Sequence, residues 1–142
     1  MIYKKGFTLI ELLVVIAIIG ILSSIVLASL NSARDKGANA AVKGDLQAVR
    51  NQASIVADDN NQNFDTVCAD PKIIDAITAA ITHGGDTGAT VAQRCNNATD
   101  AWAINALLKA PENGGADVYW CVDSTGKAKG EPAELAGATV CS

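Results

Sequence analysis

The chain has 142 residues, 49% of them hydrophobic but only 4% aromatic, and carries a formal charge of −4 from 15 acidic and 11 basic side chains. That length suits one domain with a core of its own plus one further element. The acidic balance argues against a general nucleic-acid surface, and a single histidine leaves no material for a two-histidine metal site or a histidine-based triad.

Residues 12–30 hold no ionisable side chain. As a helix they would span roughly 28 Å, close to the hydrocarbon thickness of a bilayer at about 30 Å. Lys4 and Lys5 precede the run and predict that its N-terminal side stays cytoplasmic, so that the chain beyond Leu30 is exported. A secretory signal peptide is the rival reading. It calls for a shorter apolar stretch and a small-residue cleavage site on the far side, near Ala28 or Ala33. Neither a plain anchor nor a signal peptide explains Glu11, an acid at the mouth of the run.

Thr8 and Glu11 stand at capping-box spacing. Within the run, Ala17, Gly20, Ser24 and Ala28 fall on one stripe of small residues, a surface that lets helix backbones approach closely. Helical periodicity continues through Val42, Leu46, Val49, Ala53 and Val56, with Lys43, Asp45, Gln47 and Arg50 elsewhere. Gly37 and Gly44 each weaken it by roughly 1 kcal/mol relative to alanine and are candidate bends. One helix over about 8–57 is expected, its second half packed on a globular domain. Residues 58–63 read as a polar loop, and the acid pair Asp58 and Asp59 as solvated rather than as a calcium site.

Asp70 and Pro71 supply an N-cap and a first-turn proline to a second helix. Its apolar stripe is Ile73, Ile74, Ile77, Ala80 and Ile81, and His83-Gly84-Gly85 stops it. Residues 84–100 read as loop, with a short strand or turn near 89–93 at most. A strand is expected over 101–108 with Trp102, Ile104, Ala106 and Leu108 on one face, then a turn at 111–115. A second strand over 118–123, a turn at 124–126, a short strand at 127–129 and an edge strand at 138–140 complete the pattern. Helix first and antiparallel meander later make an α+β chain.

The residues Gly6-Phe7-Thr8-Leu9-Ile10-Glu11, followed by the apolar run, resemble the class III signal of type IV pilins and pseudopilins: a short basic leader, glycine, phenylalanine, and glutamate five residues after the glycine. The resemblance covers about the first 35 residues. It implies a long N-terminal helix, membrane-spanning in its first half, packed on a small antiparallel sheet with an additional short helix. It divides the chain into a leader at 1–6, a transmembrane and filament-core segment at 7–31, and an exported globular domain at 32–142. It implies that a prepilin peptidase cuts after Gly6 and that Phe7 is then N-methylated. The helix would pack into a homo- or hetero-oligomeric filament built by an inner-membrane assembly platform. Loss of Lys4 and Lys5 leaves nine basic against fifteen acidic side chains, a formal −6.

After that cut the Phe7 amine and the Glu11 carboxylate lie at i and i+4 on one helix face. A carboxylate in a filament core requires a cation, and in the family the neighbouring subunit's terminal amine supplies it. The resemblance further implies a single-pass membrane protein with a cytoplasmic N-terminus, and afterwards an extracellular pilus or a cell-envelope pseudopilus. Such filaments serve adhesion, motility, DNA uptake or secretion. Many pilins carry a proline near the position of Ala28; this chain has none before Pro71. A pseudopilin of type II secretion shares the whole motif. A monomeric membrane-anchored binding module is the alternative of another class.

Cys68, Cys95, Cys121 and Cys141 suit an exported compartment and allow three pairings. Sequential pairing, Cys68 with Cys95 and Cys121 with Cys141, is expected. The second pair would clamp the tail onto the sheet, as in the C-terminal loop of many pilins. Zinc-type spacing and catalytic motifs are missing, so neither an enzyme, a metal nor a cofactor is expected. Trp102, Tyr119 and Trp120 beside Lys127 and Lys129 suggest a stacking surface for DNA or sugar, weighed against ordinary core positions. Nucleic-acid contact stays open.

Overall fold

The structure, a computed structural model, describes residues 6–142; Lys4, Lys5 and most of the expected leader lie outside them. The chain divides into two compact units between Arg34 and Asp35. One helix, α1 (Leu9–Asp59), contributes to both. It starts and ends within two residues of the expected 8–57. It passes Gly20, Gly37 and Gly44 without a break, and nothing lies within 4 Å of where a β-carbon on any of the three would sit.

The first unit is the apolar part of α1. Every described residue through Arg34 is exposed. An 18-residue window there reaches a mean hydropathy of 2.8, which makes α1 long and apolar enough, by length and composition, to cross a membrane. Leu9, Ile16, Ile25 and Leu27 are all 60% or more exposed. Apolar side chains on every face of a helix leave no solvated side, which is the pattern of a segment surrounded by lipid or by other helices.

The second unit has a conventional core. From α1 it takes Val42, Leu46, Val49 and Ala53, fully buried at the spacing read from the sequence. Against them pack α2 (Pro71–Gly84) and one face of a four-stranded antiparallel sheet. The strands are β1 (Cys95–Asn97), β2 (Trp102–Glu112), β3 (Asp117–Asp123) and β4 (Ala128–Glu131), in the order β1-β2-β3-β4. Trp102, Ile104, Ala106 and Leu108 of β2 and Val122 of β3 face the helices. The opposite face carries Ala103 and Cys121, covered by Leu135 and Cys141 of the tail.

The start of α2 follows its sequence. Asp70 Oδ1 accepts from the N–H groups of Lys72 and Ile73 at 3.0 and 3.1 Å, and Pro71 sits where a missing N–H costs nothing. Gly85 ends the helix in the left-handed region at φ 78°, and the Asp86 N–H reaches back to the Ile81 carbonyl at 3.1 Å. Gly84 does something else. It is buried inside the helix, and a β-carbon there would stand 2.1 Å from the Leu107 carbonyl oxygen, so α2 touches β2 at this point through bare backbone.

Four expectations are corrected. Ile74 is 36% exposed, because a residue next to Ile73 is rotated about 100° away from the buried face. Residues 89–97 are not loop: α3 (Val91–Arg94) and β1 occupy most of them. Thr90 and Gln93 form a capping box there, a spacing visible in the sequence, whereas the polar strand Cys95-Asn96-Asn97 shows no hydrophobic alternation and is held by pairing with residues 102–104. Strand β2 runs on through Pro111 to Glu112, with a register shift between Leu107 and Glu112, where a proline is tolerated. Residues 138–140 form no strand. The tail instead crosses the sheet in turns, with Ala136 and Gly137 at φ 46° and 90°.

Candidate processing and assembly site

The first turn of α1 is built from its own side chains. The Thr8 hydroxyl accepts from the Glu11 N–H at 3.3 Å. Glu11 Oε2 accepts from the Thr8 N–H at 2.8 Å and from the Thr8 hydroxyl at 2.7 Å. This is a complete capping box, and it puts an anion at the positive end of the helix dipole. Just outside it lie Gly6 and Phe7, in no regular structure; Phe7 is 86% exposed. The bond between Gly6 and Phe7 is therefore exposed, non-helical backbone. Among the described residues, Glu11 Oε1 accepts no hydrogen bond, so the carboxylate keeps capacity for a further donor.

Further along, Ala17, Gly20, Ser24 and Ala28 are exposed along one side of α1. The Ser24 hydroxyl donates to the Ile21 carbonyl at 2.7 Å. Its proton is therefore satisfied within the helix, and its small volume is what it presents outward.

In the second unit the disulfides join Cys68 to Cys95 and Cys121 to Cys141. The first ties the turn before α2 to β1; the second ties the tail to β3. Beside the second bond lies a group that sequence reasoning missed. Asp123 is 1% exposed. Its Oδ1 accepts from the Thr125 hydroxyl at 2.7 Å and from the N–H groups of Thr125 and Lys127 at 2.9 and 3.1 Å, while Oδ2 accepts from the Cys141 N–H at 2.8 Å. Burial alone would push this carboxyl up. The Thr125 hydroxyl and the three backbone donors outweigh it and hold the carboxyl below its ordinary range. Aspartate one residue before Ser-Thr-Gly is the signal that could have identified it, since such residues bond to backbone two residues on.

The expected basic edge is spent internally. Lys127 Nζ donates to the Cys141 carbonyl at 2.7 Å, and Lys129 donates to the Ser142 carbonyl. Nor do the aromatics form one platform. Trp102 is core at 3% exposure. Trp120 packs against the core with Lys43 Nζ 4.3 Å above its ring, and Tyr119 lies on the other face beneath Arg94. His83, near the end of α2, pairs through Nδ1 with Asp45 of α1 at 2.7 Å.

Residues 1–27 match the family model for the prokaryotic N-terminal methylation motif. No curated protein and no solved structure matches the chain. The motif belongs to structural filament subunits that are made as membrane-anchored precursors, and it carries the apolar helix start, Thr8 and Glu11 within its span. The chain bears the prepilin-type signature of type IV pilins and pseudopilins on an α+β frame of long helix, short helices and four-stranded antiparallel sheet.

Proposed function

We propose that this chain is a structural subunit of a type IV pilus-like filament. It is made with residues 1–6 as a leader, and prepilin peptidase cuts it between Gly6 and Phe7, after which Phe7 is N-methylated. Residues 7–31 serve first as the single membrane span, N-terminus in the cytoplasm, and then as filament core; residues 32–142 form the exported domain. The inner-membrane assembly platform draws the helix out of the bilayer, and Ala17, Gly20, Ser24 and Ala28 give neighbouring helices a close approach.

The observation that carries the reading is the placement of Glu11. An acid in the first turn of a helix that carries no other charge before Arg34, beside a non-helical glycine–phenylalanine junction, has, beyond closing the capping box, no use in a plain anchor. It has one in a polymer, where the amine created by the cut on one copy neutralises the carboxylate of the next and sets their axial register. Glu11→Leu should still insert and be cut, with mass spectrometry finding methylated Phe7 at the mature terminus, yet yield few sheared surface fibres. Normal fibre yield from that variant, or a mature wild-type chain that retains residues 1–6, would refute the proposal.

A further inference from the structure

A cleft of about 310 Å³ opens between the last turns of α1 and the turn joining β3 to β4. Its walls include Arg50, Ser54 and Asp58 of α1, Phe64 from the following loop, Trp102 at the start of β2, and Ser124. That volume is at the lower end of the range of ligand pockets, about 300–1,000 Å³.

The polar groups in it are each half used. Arg50 Nη2 donates to the Gly126 carbonyl at 2.9 Å, which is the guanidinium's one hydrogen bond among the described residues, so Nε and Nη1 keep their protons. Asp58 Oδ1 accepts from Gln62 at 2.8 Å, leaving Oδ2. The Ser124 oxygen accepts from the Trp102 N–H at 3.3 Å and still has its proton to give. Ser54 donates to the Arg50 carbonyl at 3.2 Å and still has lone pairs. Asp123 also reaches the wall, but the turn and the tail already occupy both of its oxygens.

What remains is a ring of single donors and single acceptors beside the half-buried ring of Phe64, with the buried Trp102 presenting no more than an edge. A phosphate there would meet Asp58, and a divalent cation would meet Arg50. Hydroxyl groups that donate and accept at once, carried on a ring with an apolar face, satisfy both kinds of wall. The loop carrying Phe64 is held by backbone hydrogen bonds, from the Gln62 N–H to the Ala57 carbonyl at 2.7 Å and from the Phe64 N–H to the Thr99 carbonyl at 3.1 Å.

We propose that this cleft binds carbohydrate, one or two pyranose units, through Arg50, Ser54, Asp58 and Ser124 with Phe64 as the apolar contact. The proposal does not depend on filament assembly. The test is amide chemical-shift mapping of the ¹⁵N-labelled full chain in detergent micelles, titrated with glucose, galactose, mannose, N-acetylglucosamine, cellobiose and lactose, and separately with inorganic phosphate and glycine. At least one sugar should move the Arg50, Ser54 and Ser124 amides saturably. Ser54→Trp, which fills the cleft from an exposed helix position, should weaken that binding roughly tenfold or more. Arg50→Gln serves as the second variant should the first fail to fold, with the same expectation. Ile55→Ala, on the neighbouring exposed position outside the cleft, should leave binding unchanged. Sugar shifts that survive a folded cleft variant would overturn the proposal. So would saturable shifts with phosphate or glycine alone, or no response to any probe.

Discussion

A methyl group on Gly84 would collide with the backbone of Leu107, and backbone cannot swing aside as a side-chain tip can. Gly84→Ala should therefore destabilise the domain by about 1–3 kcal/mol through forced separation of α2 and β2. Gly88→Ala, where nothing lies within 4 Å, should be neutral or slightly stabilising. Chemical denaturation of the two variants makes the comparison. In the sequence Gly84 and Gly85 look alike, both helix-stopping; only Gly85 has that role, since its neighbour's importance comes from a strand more than twenty residues away. Asp123 makes a similar point with charge. Its folded carboxyl is held below the ordinary range, so the stability it contributes is complete above about pH 4 and drains away as pH falls through the lower folded value. Asp123→Asn should flatten the acid limb of the stability profile and cost about 1.5–3 kcal/mol at neutral pH, because buried donors lose a charged acceptor. Unchanged acid sensitivity in that variant would remove Asp123 from the account. Glu112 is shifted the same way, chiefly by its hydrogen bond from Lys43 at 2.6 Å, but it is a third exposed and solvent takes most of that effect.

Among the elements, α1 was the most legible. Its uniform apolar stretch and its later stripe of Val42, Leu46, Val49 and Ala53 are patterns of a single helix in two different surroundings, and both survive in the structure. The small-residue stripe makes a separable prediction. Gly20→Leu or Ala28→Leu adds bulk where neighbouring helices are proposed to meet while raising apolarity, so membrane insertion and cleavage should persist while fibre yield falls severalfold. Fractionation, mature-terminus mass spectrometry and fibre shearing separate those steps, and undiminished yield would strip the stripe of its role. Less legible were α3 and β1. Four residues are too few for helical periodicity, and Cys-Asn-Asn carries none of the alternation by which strands are recognised; its order comes from β2 on one side and Cys68 on the other. Pro111 suggests a turn in the sequence, yet β2 continues through it, because the register shift between Leu107 and Glu112 leaves that proline outside the regular ladder.

For the chain as a whole, the disulfides close loops with sequence separations of 27 and 20 residues, and removing either should cost about 3–4 kcal/mol in the chain-entropy model. The two losses should differ in kind. Replacing Cys121 and Cys141 by serine frees the tail from Asp123 and the sheet, so limited proteolysis should cut within residues 132–140 first. Replacing Cys68 and Cys95 should instead expose the segment before α2. Equal cleavage patterns would contradict that division. What the sequence determined by itself is whatever depends on near neighbours along the chain: the apolar span, the capping box of Thr8 and Glu11, the processing signal, the cap of α2 and the α+β order of elements. These rest on spacing and local hydrogen bonding, which a linear pattern records. Only the tertiary structure decided which three-way choice the cysteines made, that the tail lies across the sheet instead of joining its edge, that Lys127 and Lys129 are occupied, and that Arg50, Phe64, Trp102 and Ser124 converge on one cleft. Each of those depends on groups brought together from distant positions by packing, and no local pattern carries that information.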